Sequence, residues 1–136
     1  MGLSRNTLAV LANCTLHSHT AVQSGGGGYL GAASYLDATG LDLDNNTAGT
    51  YGGGLFAYTN SQVTLREGTI HSNTANISGG GVVLYSASFL NATGVDIYSN
   101  TAGTYGGGLY ATDDSHATWR EGAIRSNAAN DGGGVH

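Results

Sequence analysis

Along most of the chain, apolar residues recur at every second position in short runs, each cut off by Gly, Ser, Asn or Asp. Val82 and Leu84 alternate in this way, then Leu90 and Ala92, then Val95 and Ile97. Leu55 and Ala57, Val63 and Leu65, and Gly68 and Ile70 hold the same places earlier in the chain. Alternation over a few residues, closed by turn formers, predicts short strands with one face buried. No helix is predicted.

The pattern repeats. Asn46-Thr47-Ala48-Gly49-Thr50-Tyr51-Gly52-Gly53-Gly54-Leu55 returns letter for letter as Asn100 to Leu109. Glycine triplets begin at 25, 52, 79, 106 and 132, a step of 27 with one residue lost in the last copy. A step of 54 fits better still, because Tyr35 to Asp42 aligns with Phe89 to Asp96 and Leu65 to Asn73 aligns with Trp119 to Asn127. A fixed period of this length signals a stacked repeat architecture. Three short strands per unit, in register, predict one coil of a parallel β-helix, an all-β solenoid. The coils run Met1–Ser24, Gly25–Tyr51, Gly52–Ser78, Gly79–Tyr105 and Gly106–Asp131, with Gly132–His136 beginning a sixth. Residues 1–136 are expected to form one domain, either a fragment of a longer solenoid or a filament subunit. Five coils at about 4.8 Å would make a stub roughly 24 Å long.

Several columns follow from the step. Ala21, Ala48, Ala75, Ala102 and Ala129 share one place, where a narrow corner of the lumen needs a small side chain. Ser34, Ser61, Ser88 and Ser115 share a second, with Thr7 in the first coil. Asn46, Asn73, Asn100 and Asn127 share a third, with His19 in the first coil. An inward Asn at a turn bonds local backbone and its counterparts one coil up and down, so this column is expected to be a structural amide ladder, not a row of ligands. The glycine triplets lack the Lys-Ser/Thr and helix of a phosphate loop, and read as corners where backbones stack closely.

The outward places of the strand after each triplet hold Tyr29, then Phe56 and Tyr58, then Val83 and Tyr85, then Tyr110, with Tyr51 and Tyr105 just before. Contiguous exposed aromatic area marks a contact surface. Tyr29, Phe56, Tyr58, Tyr85 and Tyr110 are therefore the candidate binding residues, with a glycan or another solenoid as partner. No catalytic constellation is found. His17 and His71 lie two coils apart with Asp44 between, about 10 Å, too far to share one metal ion. No metal site and no cofactor are expected. An ice-binding face would need a threonine grid, and the column Thr15, Asp42, Thr69, Asp96, Ala123 breaks it.

Composition narrows the partners. The net charge is −5, lysine is absent, and the arginines are Arg5, Arg66, Arg120 and Arg125, so no basic stripe suits a nucleic acid. No apolar run approaches the about 20 residues of a membrane span. The single cysteine, Cys14, aligns with Leu41, Gly68 and Val95, an inward place, and is read as a buried thiol in preference to a lipidation site. Sequons at Asn13, Asn45, Asn76 and Asn91 offer N-glycosylation in a eukaryotic secretory setting.

Leu43-to-Asn46, Ile70-to-Asn73, Ile97-to-Asn100 and Ile124-to-Asn127, each followed by a glycine triplet and then Leu or Val, resemble the repeats of chlamydial polymorphic outer membrane proteins and related right-handed parallel β-helix surface proteins. Those repeats pair Gly-Gly-Ala-hydrophobic with Phe-x-x-Asn; here Gly stands for Ala, and Leu or Ile for Phe. The resemblance implies a right-handed coil and display outside the cell, as an adhesin or structural element. It carries over no functional residue. β-Helix polysaccharide lyases and hydrolases work in grooves built by long turn insertions, and the short turns here argue against an enzyme. Neither end shows a capping segment, and Val135 and Met1 both fall at the Leu55 place. Head-to-tail stacking of copies into a filament is therefore expected, with a passenger fragment of a surface adhesin or glycan-binding module as the alternative.

Overall fold

A computed structural model describes all of residues 1–136 and consists of strands and turns. The first coil contains β1 (Gly2–Leu3), β2 (Leu8–Ala12), β3 (Thr15–His17) and β4 (Thr20–Ala21). The second contains β5 (Gly28–Leu30), β6 (Tyr35–Asp44) and β7 (Thr47–Ala48), and the third β8 (Leu55–Tyr58), β9 (Gln62–His71) and β10 (Thr74–Ala75). The fourth contains β11 (Val82–Tyr85), β12 (Phe89–Tyr98) and β13 (Thr101–Ala102), and the fifth β14 (Leu109–Ala111), β15 (His116–Arg120) and β16 (Ile124–Arg125).

Three parallel sheets result. The first stacks β1-β5-β8-β11-β14, the second is built on β6, β9 and β12 with the shorter strands at its ends, and the third stacks β4-β7-β10-β13. Each residue pairs with the one a repeat away, as Leu55 with Val82 and Val82 with Leu109. The lost residue near the C-terminus shifts the step without breaking the stack, since Tyr105 bridges Asp131 and Leu109 bridges Val135.

The alternation predicts separate strands at 90–92 and 95–97. In the structure these are one strand of 10 residues, β12. A single residue in the left-handed region turns the chain while hydrogen bonding resumes on either side: Thr93 pairs with Arg66 and Val95 with Gly68. The same place bends every coil, at Asn13, Gly40, Glu67, Gly94 and Glu121, with φ of 48, 64, 52, 66 and 51°. The third sheet comes instead from the two-residue Thr-Ala strands, too short to give an alternation of their own. Gly40 and Gly94 suit the bend because they carry no Cβ; Asn13, Glu67 and Glu121 adopt it at a cost.

Inward residues of the first two sheets meet in one cluster of 17 buried apolar side chains, including Leu30, Leu43, Leu55, Ile70, Leu84 and Ile97. Ala48, Ala75 and Ala102 are buried behind the third sheet, and Ala21 and Ala129 are half-buried in the end coils. Cys14 is half-buried and packs against the same cluster.

Candidate functional site

Inside the coil, the enclosed asparagine and serine side chains are hydrogen-bonded, whereas the Trp119 Nε1 is enclosed without a partner. Asn46 Nδ2 donates to Asn73 Oδ1 at 3.0 Å, Asn73 Nδ2 to Asn100 Oδ1 at 2.9 Å, and Asn100 Nδ2 to Asn127 Oδ1 at 3.0 Å. Each Oδ1 also accepts the backbone N–H of the preceding Asn in the column, at 2.9 Å. The second amide hydrogens reach the carbonyls of Leu16, Leu43, Ile70 and Ile97. Asn73 thus uses both donors and both acceptor sites, which is why an amide can be fully buried here. His19 closes the first-coil end: its N–H lies 3.1 Å and its Nδ1 3.2 Å from Asn46 Oδ1. A ring with its proton on Nδ1 supplies one side-chain donor where an Asn would bring two. The serine column forms a second ladder, with Ser61 N–H on Ser88 Oγ at 3.3 Å and Ser88 N–H on Ser115 Oγ at 3.1 Å.

The outer face of the first sheet carries the aromatic residues, and two residues at its outward places are nonetheless buried. Phe56 is 7 % exposed and Val83 is 0 % exposed. The first glycine of each triplet folds back over the residue four places on, which hides the short Val83 outright and Phe56 together with its neighbouring rings. A Cβ on Gly52 would stand 2.9 Å from Phe56 Cβ, and one on Gly79 would stand 2.1 Å from Val83 Cγ2. Phe56 is further covered by its neighbours: its ring centroid lies 5.5 Å from Tyr29, 6.2 Å from Tyr51 and 6.1 Å from Tyr58, with interplanar angles of 21, 23 and 16°. Tyr85 adjoins Tyr58 at 5.8 Å. These rings, with Gln23 and Ser24, line an open groove of about 640 Å³. Asp113 lies beside the Tyr85 phenol and pushes its pKa up, by hydrogen bonding first and by its charge second. Tyr110 is not part of this groove. It belongs to a second cluster, with Tyr105 at 5.9 Å and His136 at 5.7 Å, and Val83 separates the two.

The remaining candidates lie apart. Asn13, Asn45, Asn76 and Asn91 are all exposed, Asn91 on the outer face of the second sheet and the others at turns. His71 bridges coils, with Nε2 3.3 Å from Asp42 Oδ1 and Nδ1 3.2 Å from Asp44 Oδ1, and it stacks on Tyr98 at 4.8 Å. Arg125 covers the Tyr98 ring, and Arg66 pairs with Asp37. No group of three or more His, Cys, Asp or Glu side chains is arranged to hold a metal ion. Thr15, Asp42 and Thr69 do share a column on the second sheet. A purer threonine column was missed: Thr20, Thr47, Thr74 and Thr101 stack along the third sheet. The inward alanines already implied it, because the residue before each must face out.

The dimensions and pairing of these coils define a parallel β-solenoid. The chain belongs to the right-handed β-helix region family, whose model matches residues 2–135. No curated protein and no solved structure matches it.

Proposed function

We propose that the chain is a structural solenoid that works outside the cell and adds coil on coil, end to end, into a filament. The constancy of its stacking carries this reading. The asparagine ladder ends on His19 and the glycine triplets begin only at Gly25, so what a coil from another copy can share is the backbone pairing, which keeps one register from coil to coil. The glycine corners illustrate this: Gly53 N–H donates to Gly79 at 3.1 Å and Gly80 N–H to Gly106 at 3.2 Å. The short, uniform turns also favour a structural role over a catalytic one. Electron microscopy of untreated source material tests the reading. Fibres with an axial repeat of five to six coils, about 24–29 Å, are expected; discovery of this chain only inside one much longer polypeptide would overturn the subunit assignment.

A second reading has a specific observation in its favour. The pairing of Leu/Ile-x-x-Asn with glycine triplets, similar to that in chlamydial surface proteins, suits a passenger segment that displays an adhesive face. The aromatic groove would then be that face. Surface labelling of intact source cells, followed by peptide mapping for Tyr58 and Tyr85, should find both residues modified. Labelling only after lysis would count against any extracellular role.

A further inference from the structure

We propose that the aromatic groove of the first sheet binds a neutral oligosaccharide. The proposal rests on the surface reading above for where the groove meets its ligand, and adds what that ligand is.

Size and preorganisation come first. About 640 Å³ falls within the range of small-ligand sites, about 300–1,000 Å³. Phe56 forms a floor held by Tyr29, Tyr51 and Tyr58, so binding has little side-chain freedom left to remove. Ring centroids 5.5 to 6.2 Å apart in nearly parallel planes exceed the contact distance of about 3.5–4 Å. The rings are therefore slipped, and part of each face stays uncovered. Slipped rings offer apolar patches, while the tyrosine hydroxyls, Gln23 and Ser24 offer hydrogen bonds. A pyranose has the matching make-up, with a C–H face and a hydroxyl rim.

Charge selects within that class. No Lys, Arg or His lines the groove, and the carboxylate of Asp113 stands beside Tyr85. Uronic, sulfated or phosphorylated sugars would find no counter-charge and would meet a like one. A peptide fits less well. The strands beneath the groove, β5, β8 and β11, are each paired on both sides, so no strand edge is open there for main-chain bonding. The arrangement partly recurs 54 residues on, where Tyr105 and Tyr110 replace Tyr51 and Phe56. Two coils rise about 10 Å, and a β-1,4-linked chain presents the same face every second sugar. A chain lying along the solenoid axis would meet both clusters.

The test is an oligosaccharide array followed by titration calorimetry on the whole chain. The array carries β-1,4-linked oligomers of glucose, N-acetylglucosamine, mannose and xylose, with galacturonate oligomers as the anionic comparison. At least one neutral series should bind saturably and with little dependence on salt. Tyr58→Ala should weaken it by about tenfold or more, Tyr85→Ala likewise, while Asn91→Ala on the other face leaves it unchanged. Circular dichroism keeps loss of binding apart from loss of fold, and Tyr58→Phe provides a variant with the ring retained. The proposal is wrong if no neutral oligomer binds, if galacturonate binds better, or if Tyr58→Ala and Tyr85→Ala bind as the parent does. An intracellular location would overturn the surface reading while leaving this binding intact, so the two can fail separately.

Discussion

A buried amide is tolerable only when all its bonds are made, and Asn73 sits in the middle of such a chain of bonds. Removing its side chain strips partners from the Asn46 amide, the Asn46 N–H, the Leu43 carbonyl and Asn100 Oδ1 at once. Each buried group left unsatisfied costs about 1–3 kcal/mol, with relaxation and water recovering part of the sum. Asn73→Ala should therefore lower stability by about 3–5 kcal/mol in urea unfolding. Asn127→Ala, at the half-buried end of the ladder, should cost about 1 kcal/mol. Equal losses at the two sites would show that the column is not coupled. This column was legible in the sequence because period and residue type together left few other roles for it. The burial of Phe56 and Val83 was not, because alternation reports which side of a strand a residue faces. It does not report whether the preceding turn, at Gly52 or Gly79, lies over that side.

At the scale of the element, the ten-residue strands show what a single backbone conformation does to a pattern. Gly40 and Gly94 read as breaks between two strands, yet the ladder continues past them. Period and inward set were open to sequence reading. The continuity of the strand and the third sheet were not, since a bend and a turn share the same residues and two-residue strands have no rhythm. The bend also predicts a stabilising change. Glu67 holds a φ of 52°, in a region that disfavours residues with a Cβ by about 1–2 kcal/mol. The coils on either side place Gly40 and Gly94 there with φ of 64 and 66°. Glu67→Gly should raise stability by about 0.5–1 kcal/mol after the added freedom of the unfolded chain is subtracted. A fall in the urea midpoint would mean that the Glu67 side chain contributes more than its backbone costs. The reverse change is expected to be severe at Gly79, where an added Cβ would stand 2.1 Å from Val83 Cγ2 and 2.6 Å from the Val82 carbonyl. Gly79→Ala should cost several kcal/mol, read as a lowered unfolding midpoint together with new exposure of the covered outer face.

For the whole molecule, the end of the last coil separates the folding of one chain from the stacking of several. In Gly27, Gly54, Gly81 and Gly108 an added Cβ would stand 2.7, 2.6, 2.5 and 2.6 Å from a glycine carbonyl oxygen of the next coil. Backbone atoms in register cannot yield at that distance without breaking the ladder. Gly134 is in the same place, but within one chain an added Cβ there meets only Ile124 Cγ2, at 3.7 Å, an ordinary contact. Gly134→Ala should then leave the unfolding midpoint of the isolated chain within about 0.5 kcal/mol of the parent. If copies add end to end, the incoming chain starts at Met1, one place after the triplet, and sets no glycine carbonyl against Gly134, so fibres should survive Gly134→Ala. Exposed Val135 holds the same place as Met1 and meets the incoming chain, so Val135→Asp should abolish fibres while leaving the isolated chain folded. Gly2→Ala is the matched control at the other end, where nothing lies within 4 Å of an added Cβ. It falls on an outward place in β1, paired with Tyr29, so it should change neither folding nor fibre formation. Fibres that persist in Val135→Asp with the same axial repeat would show that copies associate through their sides, and the end-to-end arrangement would have to be given up.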